Sequence, residues 1–277
     1  MIKQTTSKNK LISIFAIFLT SLLLFGCSES SSDTQSSDRH SEKTEQTASD
    51  SSSSKQDESE TSKSTQPAKQ TQNNSAPYQQ YLANQTTLAN ANFAGQDEIT
   101  INNNNPYFSQ QDLNTDKGAW QSFGNLDQLN RPTVANALIN YSMKPHQKRE
   151  RLVINPTGWH NKRIKSGWLY NRSHLIGYQL TGQNNNPKNL ITGTRQLNAP
   201  EMLAHEDDIA YYVKQNPNHF VRYRVTPIFR GNELLARGVE MEGQSIGDNA
   251  IHFNTYIFNV QSGVTLNYAD GTSRIGQ

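Results

Sequence analysis

Cysteine is almost absent from this 277-residue chain, Cys27 being the only one. A lone thiol excludes an internal disulfide and the multi-cysteine metal sites. Also missing are a glycine-rich phosphate loop and a serine in a nucleophile-elbow pattern, which removes two further enzyme classes. Residues 28–77 contain no Leu, Ile, Val, Phe, Tyr or Trp and consist mainly of Ser, Thr, Gln, Asp, Glu and Lys. Such a stretch has nothing apolar to set against the entropy of ordering it, and it is expected to be a disordered tether. No hydrophobic run reaches the ~20 residues a membrane-spanning helix needs. The uncharged run from Leu11 to Phe25 has fifteen.

That run follows Lys3, Lys8 and Lys10 and ends in Leu24-Phe25-Gly26-Cys27. The arrangement reads as a signal peptide with a lipidation-type cleavage site. The expected organisation is a signal peptide over 1–26, a lipid-bearing Cys27 at the head of a tether over 27–77, and one folded domain over 78–277. That domain holds every Trp and Tyr of the chain and is long enough for a well-buried core. The expected location is the outer face of the cell membrane, lipid-anchored or secreted.

The formal net charge of +2 hides an uneven distribution. Residues 144–195 hold ten bases against the single acid Glu150, or +9, while residues 28–77 carry nine acids against five bases. A basic stretch inside a folded domain suits a polyanion, because each phosphate contact releases counterions. Lys162, Arg163, Lys165 and Arg195 are the candidate nucleic-acid contacts. Charge alone fits an anionic membrane surface equally well.

The apolar spacing predicts a helix from about Pro132, with Val134, Leu138 and Tyr141 at helical intervals, and a second helix from Pro200 to about Gln215. Arg151 to Asn155, Phe220 to Pro227 and Ile251 to Val260 read as strands of a mixed α+β fold.

The densest group of reactive side chains runs from Asn171 to Glu206 and includes Arg172, His174, Asn189, Arg195, Asn198, His205 and Glu206. Phosphodiester hydrolysis needs a base for water, a cation against the developing charge and a neutralised leaving oxygen. A neutral His, Mg²⁺ and Arg supply these between them. Mg²⁺ keeps most of its waters, so an Asn carbonyl with a carboxylate holding a metal-bound water suffices. Asn198 and Glu206 lie eight residues apart, ~80° around a helix, so both can border one cavity.

These residues resemble the DNA/RNA non-specific endonucleases of ββα-metal fold, in particular the streptococcal-type secreted DNases and DNA-entry nucleases. The resemblance runs from Tyr170 through Asn171-Arg172-Ser173-His174-Leu175 to Gly182, then from Asn186 through Asn189 and Arg195 to Asn198, and on through His205-Glu206 to the strand Val221 to Pro227. Asn125-Leu126-Asp127 with Arg131-Pro132 is similar, less specifically, to an early helix of the family. The resemblance implies an α+β, ββα-metal fold with a mixed or antiparallel sheet. It implies His174 as general base, Asn198 as Mg²⁺ ligand, Glu206 as holder of metal-bound water, and Arg172 and Asn189 as supports for the metal site and phosphate. Mn²⁺ is an alternative ion, DNA the expected substrate with RNA left open, and no protein partner is implied. The family motif usually opens with Asp where this chain has Asn171, and many members have Gly at Ser173. Asn171 would hold Arg172 by a neutral hydrogen bond instead of an ion pair. Two rival readings are a surface DNA-binding module for uptake without cleavage, and an adhesion lipoprotein facing an anionic cell-wall polymer.

Overall fold

The computed structural model describes residues 75–276. The signal peptide, Cys27 and nearly all of the tether lie outside the described residues. Among those described, no helix is long and apolar enough to cross a membrane.

The chain enters through α1 (Ala76–Ala89), followed by strands β1 (Glu98–Thr100), β2 (Trp120–Phe123) and β3 (Ala135–Ile139). A small hairpin, β4 (Arg163–Ile164) and β5 (Gly167–Trp168), leads into β6 (Tyr170–His174), the short helix α2 (Tyr178–Thr181) and β7 (Leu190–Thr194). Helix α3 (Leu203–Gln215), the long strands β8 (Val221–Ile228), β9 (Gly238–Ser245) and β10 (His252–Phe258), and the hairpin β11 (Val264–Leu266) and β12 (Ser273–Ile275) complete it.

Six strands form one antiparallel sheet in the order β1-β10-β9-β8-β3-β2. Along β8 the side chains alternate, as a strand requires. Val221, Tyr223 and Val225 face the main core, where Ile209 and Val213 of α3 meet Leu175, Ile176, Ile191 and Leu197. Arg222, Arg224 and Thr226 face the other way yet are also buried, because α1 and the segment after it cover that side. There Tyr81 of α1 bonds Thr226 at 2.7 Å and lies 3.8 Å under the Arg224 guanidinium. Asn84 and Gln85 donate to Glu240, and Arg224 pairs with Glu242. A helix with this polar face is retained because the buried carboxylates need those donors.

Strands β6 and β7 pair with each other outside the large sheet and lead directly into α3. This ββα unit positions the site.

Three expected elements differ. The segment after Pro132 is strand β3, not a helix. Its register with β8 puts Ala135, Ala137 and Ile139 into the core, and tertiary pairing overrides a helical spacing carried by only three residues. Asn125 to Pro132 is likewise not helical, and Asp127 accepts from the Leu129 and Arg131 amides in a tight turn. Residues 151–155 form no strand and pair with none. Their backbone is held by side chains instead, with Asn185 bonding Val153 N and Arg151 O, and Arg172 donating to Ile154 O. The strands expected near 220–227 and 251–260 form as β8 and β10.

Candidate active site

His174 ends β6 on the same strand face as Arg172, two residues earlier, and is 7% exposed. Its Nε2 lies 2.9 Å from the Asn184 carbonyl oxygen, which can only accept. Nε2 therefore carries the proton, and Nδ1 keeps its lone pair, 3.4 Å from Nη2 of Arg149. Burial pushes the imidazole pKa below its usual 6.5 and the Arg149 charge acts in the same sense, against the raising effect of the Asn184 and Gln183 carbonyls. The ring is thus neutral at neutral pH, and Nδ1 accepts a long hydrogen bond from Arg149, so a water must displace that donor before Nδ1 can take its proton.

Glu206 sits in the first turn of α3 and is almost fully buried. One oxygen accepts from the Gly177 amide at 2.7 Å. The carboxyl pKa is pushed up to about 8 by burial, despite that bond. A side chain at residue 177 is excluded by space, since a Cβ there would lie 2.3 Å from a Glu206 oxygen.

Asn198 lies between β7 and α3, in a wide turn, Leu197–Met202, whose Ala199 is extended and is followed by a cis bond to Pro200. The helical-wheel relation expected between Asn198 and Glu206 therefore does not exist, because α3 begins only at Leu203. Both nonetheless line one cavity of about 230 Å³, together with His174, Arg149 and Gly177. Asn198 forms no side-chain hydrogen bond among the described residues, so its carbonyl oxygen is available.

Arg149 and Asn198 also line a larger adjoining groove of about 720 Å³, walled by Arg151, Trp159, Trp168 and Arg172. Arg172 is rigidly placed there. It donates to Ile154 O at 2.8 Å and to Asn155 Oδ1 at 2.6 Å, with its guanidinium 4.5 Å from the Trp159 ring centre. The expected bond from Asn171 to Arg172 is not formed, although both residues line the groove, and the Arg172 guanidinium is held by Ile154 and Asn155 instead.

Two further expectations need correction. Asn189 does not reach the cavity, because it is fully buried and its amide is spent on Ile176, accepting from N at 2.9 Å and donating to O at 3.0 Å. It is a positioning residue that fixes the chain two residues beyond His174. Lys162 is tied by Nζ to the Ser273 carbonyl and is not a free phosphate contact. Arg163, Lys165 and Arg195 remain exposed, Arg163 lying over the exposed Trp168 at 4.3 Å. His205 turns from the cavity to Glu98, 3.0 Å away, and stacks on Phe253.

Arg149 was recognisable in the sequence only as one of ten bases. Its place at the junction of cavity and groove depends on the irregular segment 144–155, for which no spacing rule exists. Asn184, which sets the tautomer of His174, acts through its backbone and leaves no residue-type signal.

The chain and its fold are similar to known proteins. Residues 113–247 match the family described as DNA/RNA non-specific endonuclease. A deoxyribonuclease of Streptococcus dysgalactiae subsp. equisimilis is 34% identical over 107 residues, 37% of this chain and 32% of that protein. The match thus spans about a third of the curated relative's length. The structure of NucA from Streptococcus agalactiae with magnesium bound superposes with a TM-score of 0.61 at 26% identity, covering 71% of this chain and 98% of NucA. NucA with no metal bound gives 0.59 at 27% identity, over 71% and 97% of the two chains. The mixed α+β architecture with its antiparallel sheet is the ββα-metal nuclease fold.

Proposed function

We propose that the chain, whose residues 113–247 match the DNA/RNA non-specific endonuclease family, hydrolyses phosphodiester bonds of extracellular DNA, with RNA as an open second substrate. The observation that carries this reading is one cavity uniting a neutral His174, a free Asn198 carbonyl and the buried Glu206 at the end of a basic groove.

The residues fit a divalent cation, Mg²⁺ or Mn²⁺. Asn198 offers an unbonded oxygen, and Glu206 is a carboxylate whose charged form is penalised by burial and would be favoured beside a cation. Among the described residues no three His, Cys, Asp or Glu gather into a metal cage. That donor set suits an ion that keeps most of its own waters. Asn198 would hold the ion directly and Glu206 through one of those waters. The bound ion would supply positive charge against the developing phosphorane and leaving oxygen.

The chain's own residues do the rest. His174 Nδ1 accepts the proton of the attacking water, while the Asn184 carbonyl fixes the ring. Arg149, beside Nδ1, faces the phosphate oxygens as charge builds. Arg172 and Trp159 hold the backbone in the groove, with Arg163, Lys165 and Arg195 as outlying phosphate contacts. Asn171 leaves Arg172 supported, so its departure from the family pattern does not dismantle the groove. Attachment through lipidated Cys27, at the outer face of the membrane, completes the proposal on the strength of Leu24-Phe25-Gly26-Cys27.

The test is plasmid degradation by the purified chain with Mg²⁺, with EDTA, and with His174→Ala. Wild type should cut with Mg²⁺ only, and the variant should be slower by ~10²-fold or more. Intact plasmid with salt-sensitive retention would instead mark a DNA-binding module without cleavage.

A further inference from the structure

The catalytic cavity has a second neighbour. A hollow of about 160 Å³ lies where α2 and α3 meet the Tyr141–Met143 turn. Gln179 lines both this hollow and the catalytic cavity, just as Arg149 and Asn198 line both that cavity and the basic groove. The cavity therefore borders both the groove and the hollow.

The chemistry of the hollow is specific. Its floor is apolar, with Leu180 and Val213 both buried. One wall is the ring of Tyr141, 39% exposed, with Lys144 Nζ 5.4 Å from its centre. Lys214 stands exposed on the rim. The Gln179 amide donates to Asp207 at 3.0 Å, which leaves its carbonyl oxygen as a directed acceptor. The Asp207 carboxylate keeps a phosphate away from that side, so anionic groups are confined to the lysine rim.

We propose that this hollow receives the base of a nucleotide flanking the scissile phosphate. Tyr141 is the stacking platform, and Lys144 and Lys214 contact the adjoining backbone. The inference rests on the nuclease reading above. The volume is below the ~300 Å³ at which pockets usually accept a whole small ligand, so a flat ring enters and its sugar and phosphate stay outside. An aromatic face accepts any base, and lysines add affinity without sequence preference. A base seated here has left its stack, so single strands and frayed ends are favoured over intact duplex.

The experiment uses the full chain and a single-stranded oligonucleotide carrying 2-aminopurine, first in EDTA for binding and then with Mg²⁺ for kinetics. Wild type should quench the probe. Tyr141→Ala should abolish the quench, weaken binding about tenfold and raise KM about tenfold, with kcat within about twofold. Tyr141→Phe should keep both properties, and equal melting midpoints show that both variants are folded. Cleavage and quenching that are indifferent to Tyr141→Ala would overturn the base pocket and leave the nuclease reading standing. Quenching lost in Tyr141→Ala, from a chain that never cuts, would support the pocket and overturn the nuclease reading.

Discussion

Glu206→Gln should make the metal-free protein more stable at alkaline pH, although it removes a residue of the proposed site. The carboxyl is almost completely buried, and its pKa rises from 4.5 to about 8. The folded-state value lies above the unfolded one, so the folded chain binds the proton more tightly. Below pH 4.5 both states are protonated and nothing is lost. Stability then falls as pH rises to about 8, and beyond that the full cost applies, ~5 kcal/mol at ~1.4 kcal/mol per pH unit. Gln keeps the oxygen that accepts from Gly177 and carries no charge, so it lacks this slope. For a domain near 200 residues, 1 kcal/mol moves Tm by ~2–4 °C, so the variant should melt ~10–20 °C higher at pH 9 in EDTA and within a few degrees at pH 5. Glu240, also pushed up by burial, adds the same slope to both proteins and cancels in the difference. Mg²⁺ should raise the wild-type midpoint at pH 9 and barely move that of the variant. Melting curves followed by circular dichroism decide it. Parallel pH slopes for the two proteins in EDTA would refute the burial argument.

The remaining predictions concern the elements around that carboxylate. Because burial and Arg149 lower the His174 pKa, kcat/KM at saturating Mg²⁺, where the state of Glu206 no longer limits loading, should fall only as pH drops through a value below 6.5, and a half-maximum at or above pH 7 under that condition would contradict the neutral-base assignment. Asn189→Ala strands the buried N–H and C=O of Ile176 and should cost ~2–4 kcal/mol in urea unfolding, with kcat reduced more than KM; an unchanged midpoint would deny the clasp. Gly177→Ala drives a methyl to within 2.3 Å of a Glu206 oxygen and should abolish the Mg²⁺-dependent rise in Tm as well as most plasmid cutting. Asn171→Asp adds a carboxylate to the groove that also holds Asn198 and should tighten the Mg²⁺ requirement in a plasmid titration, leaving the melting midpoint within ~1 °C.

The chemistry was legible where side chains act by type and the elements where the apolar period was long. His174, Asn198 and Glu206 were singled out by residue type and given their roles by the family resemblance, and they meet in one cavity, while β8 and β10 form where alternation predicted strands. The errors share a physical origin. β3 is five residues long and buried on both faces, so its local pattern carries no information about the sheet partner that decides it. Asn189 and Lys162 have suitable side chains for phosphate or metal, but their neighbours in space, Ile176 and Ser273, consume those groups. Sequence position cannot show that a donor is already spent. Arg149 failed for the converse reason, since nothing in residues 144–155 reveals which cation an irregular loop brings to His174.

The placement of Glu206 also explains how a site can be built with so little acid. Several carboxylates around one ion would repel each other when it left, and the empty site would be costly to fold. Here the carboxylate at the cavity is single, buried and able to hold a proton near neutral pH, so the fold tolerates the ion's absence by taking up H⁺. Loading an ion would then displace that proton, and affinity should rise with pH by up to tenfold per unit as pH approaches about 8, levelling off above it. The same linkage that destabilises the ion-free domain at high pH thus makes it a better cation binder there. His174 does not share the dependence, because its proton is lost below 6.5. On the proposed mechanism, base and ion site would be in their working states together towards the alkaline side when the ion is scarce, where burial of Glu206 costs the empty fold most.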